Sequence, residues 1–388
     1  MEKISRPVAQ IKESIFATMT QLAIENNAIN LSQGFPDFDG PKWILNIAKE
    51  TMDQNYNQYA PFPGTIGLRE SISKNFMNYY NLSYDPQKEI TVTNGATEGI
   101  FSTVMALLNP GDEVIVFEPY YDSYIASIEI AGGVPVPVTL NAPDFKWNIE
   151  ELEKAFSSKT KLVIFNTPHN PTGKVFDRDE MEILADLVKK YDAYIISDEV
   201  YEHLTFDNLT HLPMAKLKGM KERTITISST GKTFSLTGWK IGWVASSPKI
   251  SHAIRMVHQF NTFSVAHPFQ KTMEIALLKL KGYLPEFKKV YEFKRNFFCN
   301  GLINGGYNPY IPGGTFFVMC PIESHSTLQD VDYCMELIKT KKVASIPTSA
   351  FYLNSEDGKK YIRFCFAKKD ETLKAALQNL STLKYDPR

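Results

Sequence analysis

From Glu89 onward the chain alternates between two hydrophobic rhythms. Short β-branched runs, EITVTNG, DEVIVFEP, TKLVIFNTP, AYIISDEVY and RTITISS, are separated by longer stretches with helical periodicity. This alternation predicts an α/β fold with a mostly parallel sheet and helices on both faces. Several runs are almost wholly apolar, the pattern of strands covered on each side. Each ends in polar or small residues: Asn94-Gly95, Glu118-Pro119, Asn166, Asp198-Glu199 and Ser228-Ser229. Ligands in open α/β sheets bind beyond the carboxyl ends of the strands, so these groups are expected to converge on one site.

Before Glu89 the pattern reads as an arm and opening helices, with loops at QGFPDFDGP and YAPFPGTIG. After about Leu284 it changes to a long helix, then the strands GGTFFVMC and KKYIRFCFA, then a terminal helix. The expected division is an N-terminal arm (1–40) that joins the smaller domain, a large domain (41–284) and a small α+β domain (285–388). A length of 388 residues suits two lobes with a cleft between them.

Composition narrows the choice by exclusion. A net charge of −1 with 22% charged residues gives no electrostatic reason for a nucleic-acid partner. The opening MEKISRPVAQIKES lacks the apolar core of a secretory signal, and no later run is long enough to cross a bilayer, so a cytoplasmic protein is expected. Cys299, Cys320, Cys334 and Cys365 lack CxxC spacing and are expected to be buried thiols. The seven histidines form no HExxH or similar pattern, so no metal is predicted.

The stretch ISSTGKTFSLTGWKIGW contains Gly231-Lys232-Thr233, which admits two chemistries. A phosphate-binding P-loop needs a glycine five positions before the Gly-Lys pair, and that position is Thr226, inside a strand. The lysine is then a surface amine or a buried, reactive one. The segment NGATEGIFSTVMALLNPG reads as a glycine turn and a helix burying Ile100, Phe101, Val104 and Leu108, whose free N-terminal N–H groups suit a phosphate. Asp198, closing an apolar run, either caps a helix or meets a buried positive partner. Arg363 shares one face of a strand with Tyr361 and Cys365, a pattern that fits a surface residue as readily as a functional one.

In company with NLSQGFPDFDGP, NGATEGIF, FEPYYDSY, NTPHNPTGKVF, SDEVYEHL and YIRFCFA, in that order, the lysine segment resembles that of class I pyridoxal-phosphate aminotransferases of fold type I. The resemblance covers nearly the whole chain. It is closest to the methionine, kynurenine and glutamine aminotransferases, some of which also act as cysteine-S-conjugate β-lyases. It implies a seven-stranded, mostly parallel sheet in the large domain, a homodimer with shared sites, and pyridoxal 5′-phosphate as cofactor.

By the same resemblance, Lys232 bonds the cofactor covalently and carries the substrate's proton, and Asp198 holds the pyridine nitrogen protonated. Asn170 and Tyr201 bond its phenolic oxygen. The phosphate falls to the backbone of Ala96 and Thr97, the Ser229 hydroxyl, the Lys240 ammonium and Tyr59 of a second copy, with Glu98 facing away. Lys240 stands where many of these enzymes have arginine. Tyr120, or its neighbour Tyr121, stacks on the ring. Arg363, the backbone of Gly34 and the amide of Asn170 clamp the substrate carboxylate. Phe35, Tyr59, Tyr120, Phe263 and Phe351-Tyr352 are expected to line the side-chain pocket. The implied donor is a large apolar, thioether or aromatic L-amino acid, the acceptor a 2-oxo acid, in a ping-pong cycle. Ser264, where the subgroup often has histidine, favours methionine over kynurenine.

Overall fold

A computed structural model describes residues 4–9, 11, 13–323, 325–353 and 356–381. Residues 1–3, 10 and 12 of the expected arm, and 324, 354, 355 and 382–388 of the expected small domain, lie outside the described residues. The strands, in chain order, are β1 (Ile29–Asn30), β2 (Ile90–Asn94), β3 (Glu113–Glu118), β4 (Val134–Asn141), β5 (Lys146–Trp147), β6 (Thr160–Asn166), β7 (Tyr194–Asp198), β8 (Thr224–Ser229), β9 (Ile241–Ala245), β10 (Phe317–Pro321), β11 (Val343–Ala344), β12 (Ile346–Pro347) and β13 (Tyr361–Cys365).

The large sheet has the order β2-β9-β8-β7-β6-β3-β4-β5. Seven of these strands have five or more residues, and the two-residue β5 pairs antiparallel with the end of β4 at Leu140 and Asn141. The five β-branched runs of the sequence are β2, β3, β6, β7 and β8. Both faces of the sheet are apolar: Ile115, Phe117, Val163, Phe165 and Ile195 pack on one side, and Val114, Val116, Leu162, Ile164, Ile196 and Ile227 on the other. The period of two along each strand places these sets on opposite faces, and helices cover both.

Of the seven longer strands of this sheet, β4 and β9 are not among the five runs marked by local pattern. In β4 the sequence VPVPVTLN carries two prolines, which cannot donate to a ladder. They are tolerated because the outer side of β4 is open except at Leu140 and Asn141. β9 follows directly on the lysine segment and pairs antiparallel with both β2 and β8. Its reversed direction brings its first residues to the edge where its neighbours end, with Asn94 opposite Ile241 and Ser229 opposite Gly242.

A separate antiparallel sheet has the order β10-β13-β12, and β1 pairs in parallel with β11, so the segment around Ile29 is tied to the C-terminal part of the chain. The expected boundary at residues 284/285 falls inside a continuous helix, Leu280–Asn304, which leaves no linker there. All four cysteines are buried and unpaired with one another. Among the described residues no helix is long and apolar enough to cross a membrane.

Candidate active site

A cavity opens at the carboxyl ends of β2, β6, β7 and β8. Its walls include Gly34, Phe35, Ala96, Thr97, Tyr121, Asn170, Asp198, Tyr201, Ser229, Lys232, Lys240 and Arg363. The polar strand ends Asn166, Asp198 and Ser229 thus converge as expected for an open α/β sheet.

Lys232 sits in the short helix Thr230–Thr233 that follows β8. Its Nζ donates to the Gly34 carbonyl at 2.9 Å and lies 5.7 Å from the Tyr201 ring and 5.2 Å from that of Phe316. The amine's remaining accessible surface faces the cavity, and burial is the main cause that lowers its pKa to about 8. The surface reading of this lysine is therefore excluded. A Cβ on Gly34 would stand 2.7 Å from Phe317 Cζ, so a larger residue there would have to displace that ring.

Asp198 ends β7, and no helix follows it; the chain turns instead, so the helix-cap reading fails. Its Oδ2 accepts from the Tyr124 hydroxyl at 2.6 Å, and Oδ1 from the Val200 N–H at 3.3 Å. Burial pushes its carboxyl up to about 6 against the opposing Tyr124 and Val200 hydrogen bonds. The group is thus largely ionised at neutral pH, with lone pairs still free to accept.

Arg363 lies in β13, flanked by β10 and β12, and is 1% exposed, so the surface alternative fails here too. Its Nη1 donates to Asn170 Oδ1 at 3.0 Å and its Nη2 to the Ser32 carbonyl at 2.9 Å. The guanidinium carbon lies 4.0 Å from the Phe317 ring centre and 5.2 Å from those of Phe16 and Phe351. Its buried Nε has no partner, and no carboxylate stands within ion-pair distance among the described residues. A buried cation so placed has hydrogen-bonding capacity left for an external anion. Asn170 is held in turn by its own N–H, which donates to Asn166 Oδ1 at 2.7 Å.

On the opposite wall the helix Gly95–Leu107 begins directly after β2 and points its N-terminus at the cavity. Gly95 takes φ +74°, and a Cβ there would meet Lys240 Nζ at 3.1 Å. A Cβ on Gly242 would come within 2.6 Å of the Gly95 carbonyl carbon, so β9 and this turn are in backbone contact. Backbone N–H groups, the Lys240 ammonium and the Ser229 hydroxyl are gathered around one helix start, an arrangement whose chemistry suits an anion. Glu98 turns away from the cavity, as expected.

The structure decides between the two neighbouring tyrosines. Tyr121, not Tyr120, lines the cavity. The Tyr120 N–H donates to the Phe351 carbonyl at 2.9 Å and its ring belongs to the buried cluster that also holds Ile100, Val116 and Tyr124, while its successor faces the opening. Phe263 and Tyr59 do not reach the cavity of their own chain. They pair edge to face at 5.2 Å and are 50% and 81% exposed. Of the other aromatics, Phe35 lines the cavity, and Phe351 is buried beside Arg363.

Three contributors went unrecognised. Tyr124 lies in the quoted FEPYYDSY, one helical turn beyond Tyr121, a spacing that carries signal. Phe16 comes from the helix Ile15–Glu25 near the N-terminus, and Phe317 from β10; nothing local in the sequence connects either to Arg363.

The sequence matches the family of aminotransferases of class I and II over residues 26–380. The chain belongs to that family. This aminotransferase is 39% identical to a kynurenine–oxoglutarate transaminase of Dictyostelium discoideum, over 98% of this chain and 97% of that one. It is equally 39% identical to the methionine aminotransferase of Escherichia coli, over 96% and 97% of the two chains. A crystal structure of an Escherichia coli protein identified as having a methionine aminotransferase function superposes with a TM-score of 0.94 at 38% identity, over 98% of this chain and 99% of the other. N-succinyldiaminopimelate aminotransferase of Mycobacterium tuberculosis gives the same TM-score at 36% identity, over 98% and 100% of the two chains. This aminotransferase is therefore an enzyme whose substrates are an amino donor and an oxo-acid acceptor.

Proposed function

We propose that this aminotransferase uses pyridoxal 5′-phosphate to move the α-amino group of a large apolar, thioether or aromatic L-amino acid, methionine foremost, to a 2-oxo acid by a ping-pong cycle. The observation that carries the reading is the enclosure of Lys232, Asp198 and Arg363 in one cavity with a helix N-terminus. When bound, the cofactor supplies an aldehyde that takes up the amino group and a ring that accepts the electron pair left at the substrate's α-carbon.

The residues fit that group. The helix start with Ala96 and Thr97, Ser229 and Lys240 would hold its phosphate, in a cradle that a Cβ on Gly242 would fill. The Asp198 carboxylate would face a protonated ring nitrogen, Asn170 and Tyr201 the phenolic oxygen, and Tyr121 the ring face. Lys232 Nζ, neutral for part of the cycle because burial disfavours its charge, would take the α-proton and return it. Arg363 would bind the substrate carboxylate through its fork, with Asn170 and the Gly34 backbone beside it. Phe16 and Phe35 offer apolar walls for the side chain.

Homodimerisation is part of this reading, supported by the exposed Tyr59–Phe263 pair, which would complete the site of a second copy. So is the division into an arm, a large and a small domain, supported by the β1–β11 pairing. A cytoplasmic location is supported by four unpaired cysteines. The test is a panel of amino donors and 2-oxo acids given to the protein with pyridoxal phosphate. Methionine should be among the best donors, with its 2-oxo acid formed one for one with aminated acceptor. Lys232→Ala should bind the cofactor without turnover, and normal transamination by that variant would overturn the assignment.

A further inference from the structure

Behind the helix start lies a buried glutamate–histidine contact that the reaction does not use. Glu98, in the first turn of helix Gly95–Leu107, is 8% exposed and directed away from the cavity. Its Oε2 accepts from the Asn94 N–H at 3.0 Å and its Oε1 from the Ser102 hydroxyl at 2.5 Å. His258, fully buried in helix Pro248–Asn261, has Nδ1 3.2 Å from both Glu98 oxygens and Nε2 2.8 Å from the Phe62 carbonyl.

The proton count follows from the partners. A carbonyl oxygen only accepts, so Nε2 carries a proton. Nδ1 faces a carboxylate whose two oxygens already accept, from an N–H and a hydroxyl, so it donates as well. The ring is then an imidazolium beside a carboxylate. A lone carboxylate at this place would oppose a phosphate bound one helical turn away, in surroundings that screen charge poorly. With the imidazolium the pair is neutral, and the carboxylate is left to fix the Asn94–Gly95 turn through the Asn94 N–H. The Phe62 bond joins the same histidine to the segment of Tyr59, which Ser264, His267 and Gln270 also hold, at the Ala60 and Gln58 carbonyls and the Thr65 N–H.

We infer that His258 is a positioning residue for the cofactor phosphate: it neutralises Glu98 behind the phosphate-facing helix start and fixes that turn against the Tyr59 segment. The inference rests on the proposed function, in which that helix start binds a phosphate.

Dissociation constants for pyridoxal phosphate and for pyridoxal, which has no phosphate, test it in the wild type, His258→Gln, Glu98→Gln and the double variant. His258→Gln should weaken pyridoxal phosphate about tenfold or more, as for loss of a buried charged hydrogen bond, and leave pyridoxal within about twofold. The double variant should regain most of the loss, since the unpaired charge is gone. Turnover at saturating pyridoxal phosphate should stay within about threefold of wild type. Equal weakening of both ligands, or no weakening, overturns the inference. Neutron diffraction of the wild-type holoenzyme needs no variant: protons on both ring nitrogens of His258 are expected, and a neutral ring overturns it. Failure of the proposed function looks different, because the wild type itself would then not bind pyridoxal phosphate.

Discussion

The Tyr124 hydroxyl donates to Asp198 Oδ2 at 2.6 Å, and both groups are buried. This bond opposes the burial that raises the Asp198 carboxyl to about 6. The folded pKa lies above the unfolded one, so the ionised group costs stability above about pH 6, and that cost vanishes below the ordinary carboxyl value of 3.8. Tyr124→Phe removes a donor to the charged form and should push the carboxyl further up. In the proposed function less Asp198 is then ionised near neutrality. The affinity of the cofactor-free protein for pyridoxal phosphate should fall about tenfold at pH 7, with the acid limb of its pH profile moved upward. Unchanged affinity with an unmoved limb would contradict the link.

Lys232 provides a second pH prediction with its own sign. Burial brings its pKa from 10.5 down to about 8. Carrying the charge inside the fold costs stability fully below about pH 8, and the cost disappears as pH rises toward 10.5. About half of the amines are neutral near pH 8 as a result. Stopped-flow capture of pyridoxal phosphate by the cofactor-free protein should therefore quicken with pH and inflect near 8. A rate still climbing above pH 10 would mean an ordinary, solvated lysine.

Arg363→Lys keeps the charge and loses the fork. The ammonium cannot make two parallel bonds to a carboxylate while also replacing those to Asn170 and Ser32. For methionine, kcat/KM should fall about a hundredfold or more. Capture of 3-methylthiopropylamine, which has the same side chain without the carboxylate, should change little. If both substrates suffer alike, the arginine supports the fold and not the carboxylate.

Gly242→Ala tests the contact between β9 and the helix start. The added Cβ would lie 2.6 Å from the Gly95 carbonyl carbon and 2.8 Å from the Ala96 nitrogen, both backbone atoms that cannot rotate away. The expected cost is about 1–3 kcal/mol, read as a lower Tm, together with weaker cofactor binding. A variant with wild-type Tm and affinity would show that the turn has room to shift.

What the sequence determined by itself was whatever local rhythm or motif spacing encodes. The five β-branched runs give five strands of the sheet, and their polar ends mark its binding edge, because the two-residue period and the open-sheet rule are local and topological. Lys232, Asp198, Asn170 and Ser229 sit at or just beyond such ends, so they could be brought to one place before any coordinates existed. Tertiary structure decided the rest, where packing between distant segments outweighs local preference. It chose Tyr121 over Tyr120, and buried Arg363 among rings from three remote segments. It also kept Tyr59 and Phe263 out of their own cavity, and set His258 against Glu98 across 160 residues. A side chain's direction and the charge of its neighbours are properties of the assembled interior, and no spacing along the chain carries them.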